Sequence, residues 1–167
     1  MSEKIKINYI WDQDTFLTAS KCAYDYEMKN SPKRFLGWFF IALTQFGVVA
    51  AMKKGAVGLL LISTILVVYW YFFRWSIRKK LLLKNFNKSK EKNNKFEILA
   101  DDEGIHLKDI VIKWSDVNLT VSLRDGFLIY TNNTFHFFPA KAFSTVEEKS
   151  AFASLAKNNS KHYTKEI

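Results

Sequence analysis

The sequence is poor in the residues that carry most covalent and metal chemistry: its 167 residues hold one cysteine, three histidines, six glycines and two prolines. A single thiol, Cys22, excludes an intrachain disulfide framework and a cysteine-based zinc site, and it fits a reducing compartment. His106, His136 and His162 are scattered, and no set of Cys, His and carboxylate residues has metal-ligand spacing. His106 and His136 alternate with apolar neighbours and are expected on an outer strand face. The acidic run Asp101-Asp102-Glu103 lacks the spacing of a calcium loop and reads as a solvated turn. There is neither a serine elbow nor a phosphate-binding glycine loop. These absences lead to an expectation of no enzymatic activity, no metal and no cofactor. No signal peptide is expected either, because the first apolar run begins at Phe35, behind a polar and partly acidic leader.

Charge is missing from two long stretches. Phe35–Met52 (FLGWFFIALTQFGVVAAM) and Ala56–Phe73 (AVGLLLISTILVVYWYFF) each have 18 residues without a charged side chain. At about 1.5 Å per residue each reaches ~27 Å, close to the ~30 Å hydrocarbon core of a bilayer. Only Lys53-Lys54-Gly55 joins them, so two spans would be antiparallel neighbours. Trp38 near one end and Tyr69, Trp70, Tyr71 and Trp75 at the other are the ring types that prefer headgroup level. Gly37, Ala42, Gly47, Ala51 and Gly58 offer small contact surfaces, with Gly47-x-x-x-Ala51 the best candidate seam. The polar side chains inside the runs are Thr44, Gln45, Ser63 and Thr64, and Gln45 reads as an inter-helix hydrogen bond. Acids, bases and histidines, the usual markers of ion and proton pathways, are missing from both interiors. A soluble buried helix pair would need apolar partners on every side, which the polar remainder of the chain cannot supply.

What is present is a strongly localised positive charge. Of the net +9, residues 1–34 contribute +1, the hairpin +2, residues 74–95 +8 and residues 96–167 −2. A nucleic-acid-binding domain would spread Lys and Arg over its folded face, so no nucleic-acid partner is expected. Arg74, Arg78, Lys79, Lys80 and Lys84 form a basic neck expected to continue the second span as a helix and to face anionic lipid. Each such residue is worth about 1 kcal/mol near a charged surface. The same charges can equally serve to set topology. Lys and Arg near the spans number twelve on the side of the termini and two at the tip, which predicts both termini in the cytoplasm. Lys53 and Lys54 leave open a shallow re-entrant hairpin.

The flanking segments read as follows. Ile5–Tyr9 alternates as a strand, and Asp12 or Asp14 can cap a helix running to about Lys29. Leu17, Tyr24 and Met28 share one face of that helix, set to pack on the protein's own domain or to lie on the membrane. From Lys95 the period becomes two. Phe96–Ala100, Ile105–Leu107, Ile110–Trp114, Asn118–Arg124, Phe127–Thr131 and Thr134–Phe138 are predicted strands, with turns at Asp125-Gly126 and Asn132-Asn133. A capping box at Ser144 or Thr145 opens a terminal helix burying Phe152, Leu155 and Ala156. Asn118-Leu-Thr and Asn132-Asn-Thr match the glycosylation pattern, which a cytoplasmic location makes irrelevant.

Trp114-Ser-Asp-Val117, then Phe138-Pro-Ala-Lys-Ala-Phe143 and Thr145-Val-Glu-Glu, resemble the YcxB-like C-terminal domain, in which a W-x-D-I/V element precedes an I-P-K-x-x-F element. The leader Tyr9-Ile-Trp-Asp-Gln-Asp14, an aromatic-rich helix and two spans are similar to that family's N-terminal half. Ala140 departs from the family's usual basic residue after the proline, with Lys141 one place later. The resemblance implies a small bacterial inner-membrane protein with a cytosolic pleckstrin-homology-like domain, and it brings no catalytic residues. From their own chemistry the motif residues Trp114, Asp116, Pro139 and Phe143 read as structural: core, turn cap, strand end and core.

The sequence therefore reads as an α+β membrane protein. Residues 1–32 form a strand and an amphipathic helix. Residues 33–75 form a transmembrane hairpin with spans at about 35–52 and 56–73, and residues 76–94 a basic juxtamembrane segment. Residues 95–167 form a small antiparallel β domain of pleckstrin-homology-like outline, closed by a C-terminal helix. The expected role is a membrane-anchored binding or scaffolding module, multi-pass in the cytoplasmic membrane. Its expected partners are membrane lipids and a protein or a second copy of itself. The rival roles are a small regulator or immunity-type inhibitor acting through its spans, and a channel-like oligomer.

Overall fold

The computed structural model describes residues 4–108, 110–132 and 134–166. In chain order the elements are β1 (Ile5–Ile10), α1 (Gln13–Asn30), α2 (Leu36–Lys54), α3 (Val57–Val68) and α4 (Arg74–Phe86). Then come β2 (Lys95–Ala100), β3 (Gly104–His106), β4 (Val111–Lys113), β5 (Val117–Leu123), β6 (Gly126–Thr131), β7 (Phe135–Pro139), α5 (Val146–Asn159) and β8 (Tyr163–Lys165). The α+β chain forms two compact units, one comprising Tyr24–Asn87 and the other Met1–Ala23 with Lys88–Ile167.

The helical unit is a long hairpin. Two helical stretches, Pro32–Lys54 and Val57–Phe86, are long and apolar enough to cross a membrane. The first ends at Gly55, whose left-handed backbone (φ 65°) lets its N–H reach the carbonyls of Ala50 and Ala51. The second stretch contains one π-helical segment, Tyr69–Phe73, between α3 and α4. Contact between α2 and α3 depends on small residues. A Cβ on Gly47 would lie 2.9 Å from Leu60 Cα, and one on Gly37 would lie 2.7 Å from Trp70 Nε1. Gly58 and Ala42, also expected at the seam, face outward, with nothing near Gly58. Polar side chains of α2 and α3 bond within their own helices: Thr44 to the Phe40 carbonyl (3.0 Å), and Ser63 and Thr64 to that of Leu60 (3.0 and 2.7 Å). Back-bonding satisfies these hydroxyls without a partner helix. Gln45 is exposed on the outer surface rather than bridging the two helices.

The β unit holds two four-stranded sheets, ordered β1-β2-β3-β4 and β7-β6-β5-β8. The first is wholly antiparallel, with Ile7 opposite Ile98. Strand β1 thus completes a sheet with a strand whose paired residues lie 85 to 95 positions further along the chain, so the hairpin is an insertion between two paired strands. The second sheet contains the meander β5–β6–β7, with β8 added parallel to β5. Strand β8 was not expected; it follows α5, so the helix is not the last element. Its short, half-polar segment Tyr163-Thr164-Lys165 carries too little alternation to announce a strand. The loop between β5 and β6 is Arg124-Asp125, one residue earlier than predicted, and Asn133 of the next predicted turn lies outside the described residues.

Ile7, Ile98, Ile105, Val117, Ile129 and Phe138 form the β unit's core with Phe152 of α5, each at most 1% exposed. The Phe152 ring meets Phe127, Phe143, Phe138 and Trp114 at centroid distances of 5.0, 5.4, 5.8 and 6.3 Å. Thr145 caps α5 by accepting the Glu148 N–H (3.1 Å), while the Glu148 carboxylate accepts from the Ser144 N–H (2.9 Å). Asp12 caps α1 through the Thr15 N–H (2.7 Å). The buried stripe of α1 is Thr15, Ala19 and Ala23 with Tyr24, whereas Leu17 and Met28 are half-buried. Of the predicted face Tyr24 alone is buried, and the small residues Thr15, Ala19 and Ala23 make the rest of the close approach.

Candidate functional site

Each unit contains a sizeable concavity. In the β unit a cleft of about 550 Å³ lies between β1 and β7, the outer strands of the two sheets. One wall is aromatic. Tyr9 stacks on Phe96, its cross-strand partner, at 5.4 Å, and Trp11 meets Phe96 and Phe16 edge-on at 6.5 and 6.0 Å. The other wall includes Phe135 and His136, and Leu107, Lys108 and Ile110 also line the cleft. Ile110 and Val111 are 62% and 51% exposed beside it. Burial holds the His136 imidazole below its ordinary range and so neutral. Burial, with the Glu91 carboxylate adding to it, pushes the Tyr9 phenol up, so that it too stays neutral. The His136 and Tyr9 rings are therefore neutral, and the aromatic wall suits the cleft to holding an apolar or aromatic group, with Glu91 and Lys108 the charged residues of its lining. Sequence reasoning missed it. The signal was the alternation of Tyr9 and Trp11, which acquires meaning only once residue 9 is paired with residue 96.

Residues expected at a site fall into two groups. Trp114 is 5% exposed, and its indole N–H donates to the Asp101 carbonyl (2.8 Å). Phe143 is 8% exposed in the core, Pro139 ends β7, and Asp116 lies on a short 3₁₀ turn before β5. Asp101 is not part of a solvated turn. It is buried, and its carboxylate accepts from the Glu103 and Gly104 N–H groups (3.1 and 3.3 Å) and meets His106 Nε2 at 3.0 Å. The His106 hydrogen bond, with the two backbone donors, holds its pKa below the usual carboxylate range. His106 is accordingly tied to the turn rather than free on an outer face. Among the described residues, no three His, Cys, Asp or Glu side chains converge to hold a metal ion.

In the helical unit the neck residues do not act alike. Arg78, Lys79, Lys80 and Lys84 are exposed. Arg74 is half-buried: its guanidinium lies over the Trp70 ring at 4.0 Å and the Tyr24 ring at 4.9 Å. Arg78 covers Tyr24 at 4.6 Å, and Tyr24 packs on Trp75 at 5.4 Å. This cation–aromatic stack borders the second concavity, which Ser31, Lys33, Leu36 and Leu81 also line. Helical spacing separates the roles: Trp70, Arg74 and Arg78 recur every four residues on one face, and Lys79 falls on the opposite face.

No family model, curated protein or solved structure matches the chain.

Proposed function

We propose that this protein is a small membrane-anchored binding module. Its hairpin spans the cytoplasmic membrane twice with both termini inside, and its β unit captures a protein segment that presents an aromatic or aliphatic side chain. The observation that carries the reading is the coexistence of two opposite surfaces: a helix pair apolar over its outside, and a folded β unit with an aromatic slot. The excess of Lys and Arg on the side of the termini supports the orientation. Antiparallel strands followed by α5 support a pleckstrin-homology-like reading, and the Trp114-Ser-Asp-Val117 and Phe138–Phe143 motifs support a YcxB-like one; β8 is an addition to that outline. The neck places its exposed lysines where anionic headgroups attract them.

Replacing the hairpin by an unrelated two-span anchor tests this role. A module that acts through its β unit keeps its cellular phenotype after the exchange. A regulator or inhibitor that acts through its spans loses it while remaining inserted, and that loss would overturn the proposal. Orientation is read from Gly55→Cys and Lys165→Cys, each in a Cys22→Ser background. An impermeant thiol reagent added outside should label the first and spare the second, and equal labelling would sink the both-termini-inside arrangement.

A further inference from the structure

The concavity of the helical unit contains a feature that its packing does not explain. It measures about 740 Å³, is lined by residues from Tyr24 to Leu36 and from Tyr69 to Leu81, and sits at the end of the hairpin away from the Lys53–Gly55 tip. Three of its lining residues carry a buried polar atom without a hydrogen-bond partner: the Tyr24 hydroxyl, the Ser31 hydroxyl and Nη1 of Arg74. Tyr24 is only 7% exposed. Buried donors left unpaired are costly, more so when charged, and each one in a native fold calls for a missing partner. A guanidinium only donates, and both hydroxyls can donate as well, so a single acceptor group would satisfy all three.

The surroundings specify that acceptor. Lys33, Arg74 and Arg78 line the cleft against the one carboxylate of Glu27, so the acceptor is an anion. Arg74 is held between Trp70 and Tyr24, and its fork is already oriented, which suits the several oxygens of a phosphate. The π-helical segment Tyr69–Phe73 contributes Tyr69 and Trp70 to the wall, and such segments are frequent at functional sites. Leu36, Ile77 and Leu81 continue the wall as apolar surface, which a free anion would not use and an acyl chain would.

We propose that this cleft binds the phosphate of one anionic membrane phospholipid, with Arg74 as its principal ligand, the Tyr24 and Ser31 hydroxyls donating to its oxygens, and Arg78 closing over it. The proposal rests on the hairpin being inserted in a membrane, since insertion brings the cleft to headgroup depth. It differs from the diffuse attraction of Lys79, Lys80 and Lys84: one lipid is held in one place.

The test uses the full chain in uncharged detergent micelles, with native mass spectrometry counting bound molecules. Phosphatidylglycerol should saturate at one per chain. Diacylglycerol with the same tails should not bind, and excess inorganic phosphate should not displace the lipid. Tyr24→Phe keeps the ring beneath both arginines and should weaken binding about tenfold, and Ser31→Ala about threefold or more. Lys79→Gln with Lys80→Gln should stay within about twofold. Equal binding of diacylglycerol would reduce the cleft to an apolar groove, and full displacement by phosphate would make it a free-anion site. Either result overturns the proposal, as do unchanged affinities in both hydroxyl variants or an equal loss in the lysine pair. Should Tyr24→Phe lose its helical circular dichroism, Ser31→Ala decides alone. Alkaline carbonate extraction of membranes holding the wild-type chain separates the two levels. Retention in the membrane without headgroup selectivity sinks the cleft alone; release from the membrane sinks the anchor as well.

Discussion

The helical unit and the β unit use the same apolar side chains in opposite directions. Phe46, Phe72 and Ile65 of the hairpin are 71%, 73% and 66% exposed, whereas Phe127, Phe138 and Phe152 of the β unit are at most 1% exposed. Burial from water drives the second arrangement. It cannot drive the first, whose large side chains point outward while glycines meet at the seam. That inversion is what a lipid solvent asks for, since lipid tails are as apolar as leucine and close contact between small residues must hold the helices together. The mean hydropathy of −0.10 averages the two and describes neither.

One deletion made in both units should have very different effects if the solvents differ. Phe152→Ala empties the centre of the β core and should cost about 3–5 kcal/mol. Phe46→Ala removes a ring from the outside of the hairpin and should stay within about 0.5 kcal/mol in micelles. Hydrogen exchange read by mass spectrometry assigns each effect to its unit, and comparable losses at both positions would erase the contrast. A charge probes the solvent directly. Ile65→Lys should raise the free energy of membrane insertion by about 2.5–3.5 kcal/mol, read from the inserted fraction in an in vitro translocation assay. Val146→Lys, at a position 76% exposed, should leave both insertion and β-unit stability unchanged within about 0.5 kcal/mol.

The hairpin seam gives the next contrast. Gly47→Val forces a side chain against the Leu60 backbone and should destabilise the hairpin by about 1–3 kcal/mol. Gly58→Val meets nothing nearby and should cost far less. Thermal melts in micelles, followed by protease protection of α2 and α3, would show the order, and an equal response at the two glycines would remove the seam.

These contrasts also show what the sequence could and could not reveal. Hydropathy and charge runs are local, so the two apolar stretches, the neck helix and the cap at Thr145 were legible residue by residue. The alternating strands β2 to β7 were legible for the same reason. Non-local facts were hidden. Strand β8 forms because β5 offers a free edge, not because Tyr163-Thr164-Lys165 is a strong strand former. Gly58 and Gly47 look alike in a small-residue pattern, and only the helix crossing decides which one is buried. Asp101 looked like one of three solvated acids until His106, five residues on, closed against it. Arg74 looked like one basic neck residue among several until Tyr24, fifty positions earlier, supplied the second ring of its stack.

Acid should reveal the same division with the smallest effect. Within the β unit, Asp101 and His136 both lose stabilising protonation states as pH falls, but in separate windows. Burial lowers the His136 pKa from 6.5, so the unfolded chain takes up its proton first and folding weakens as pH falls below about 6.5. The Asp101 pKa lies below 3.8, so its contribution is complete above that value and disappears as pH drops through the lower folded value. Helices α2 and α3 contain no acid or histidine and should not respond in either window. Amide NMR of the full chain in micelles, recorded during thermal melts between pH 7.5 and 3, resolves resonances of both units. Melting of the β-unit amides should shift downward first below pH 6.5 and again below pH 4, while those of α2 and α3 hold steady. His136→Gln should abolish the first step, and Asp101→Asn should reduce the second, to which the Asp12 cap, also held below the usual carboxylate range by the Thr15 N–H, contributes the remainder. A first step that survives His136→Gln would mean that the slot's histidine is not the group being titrated, and that it is better solvated than its place on β7 indicates.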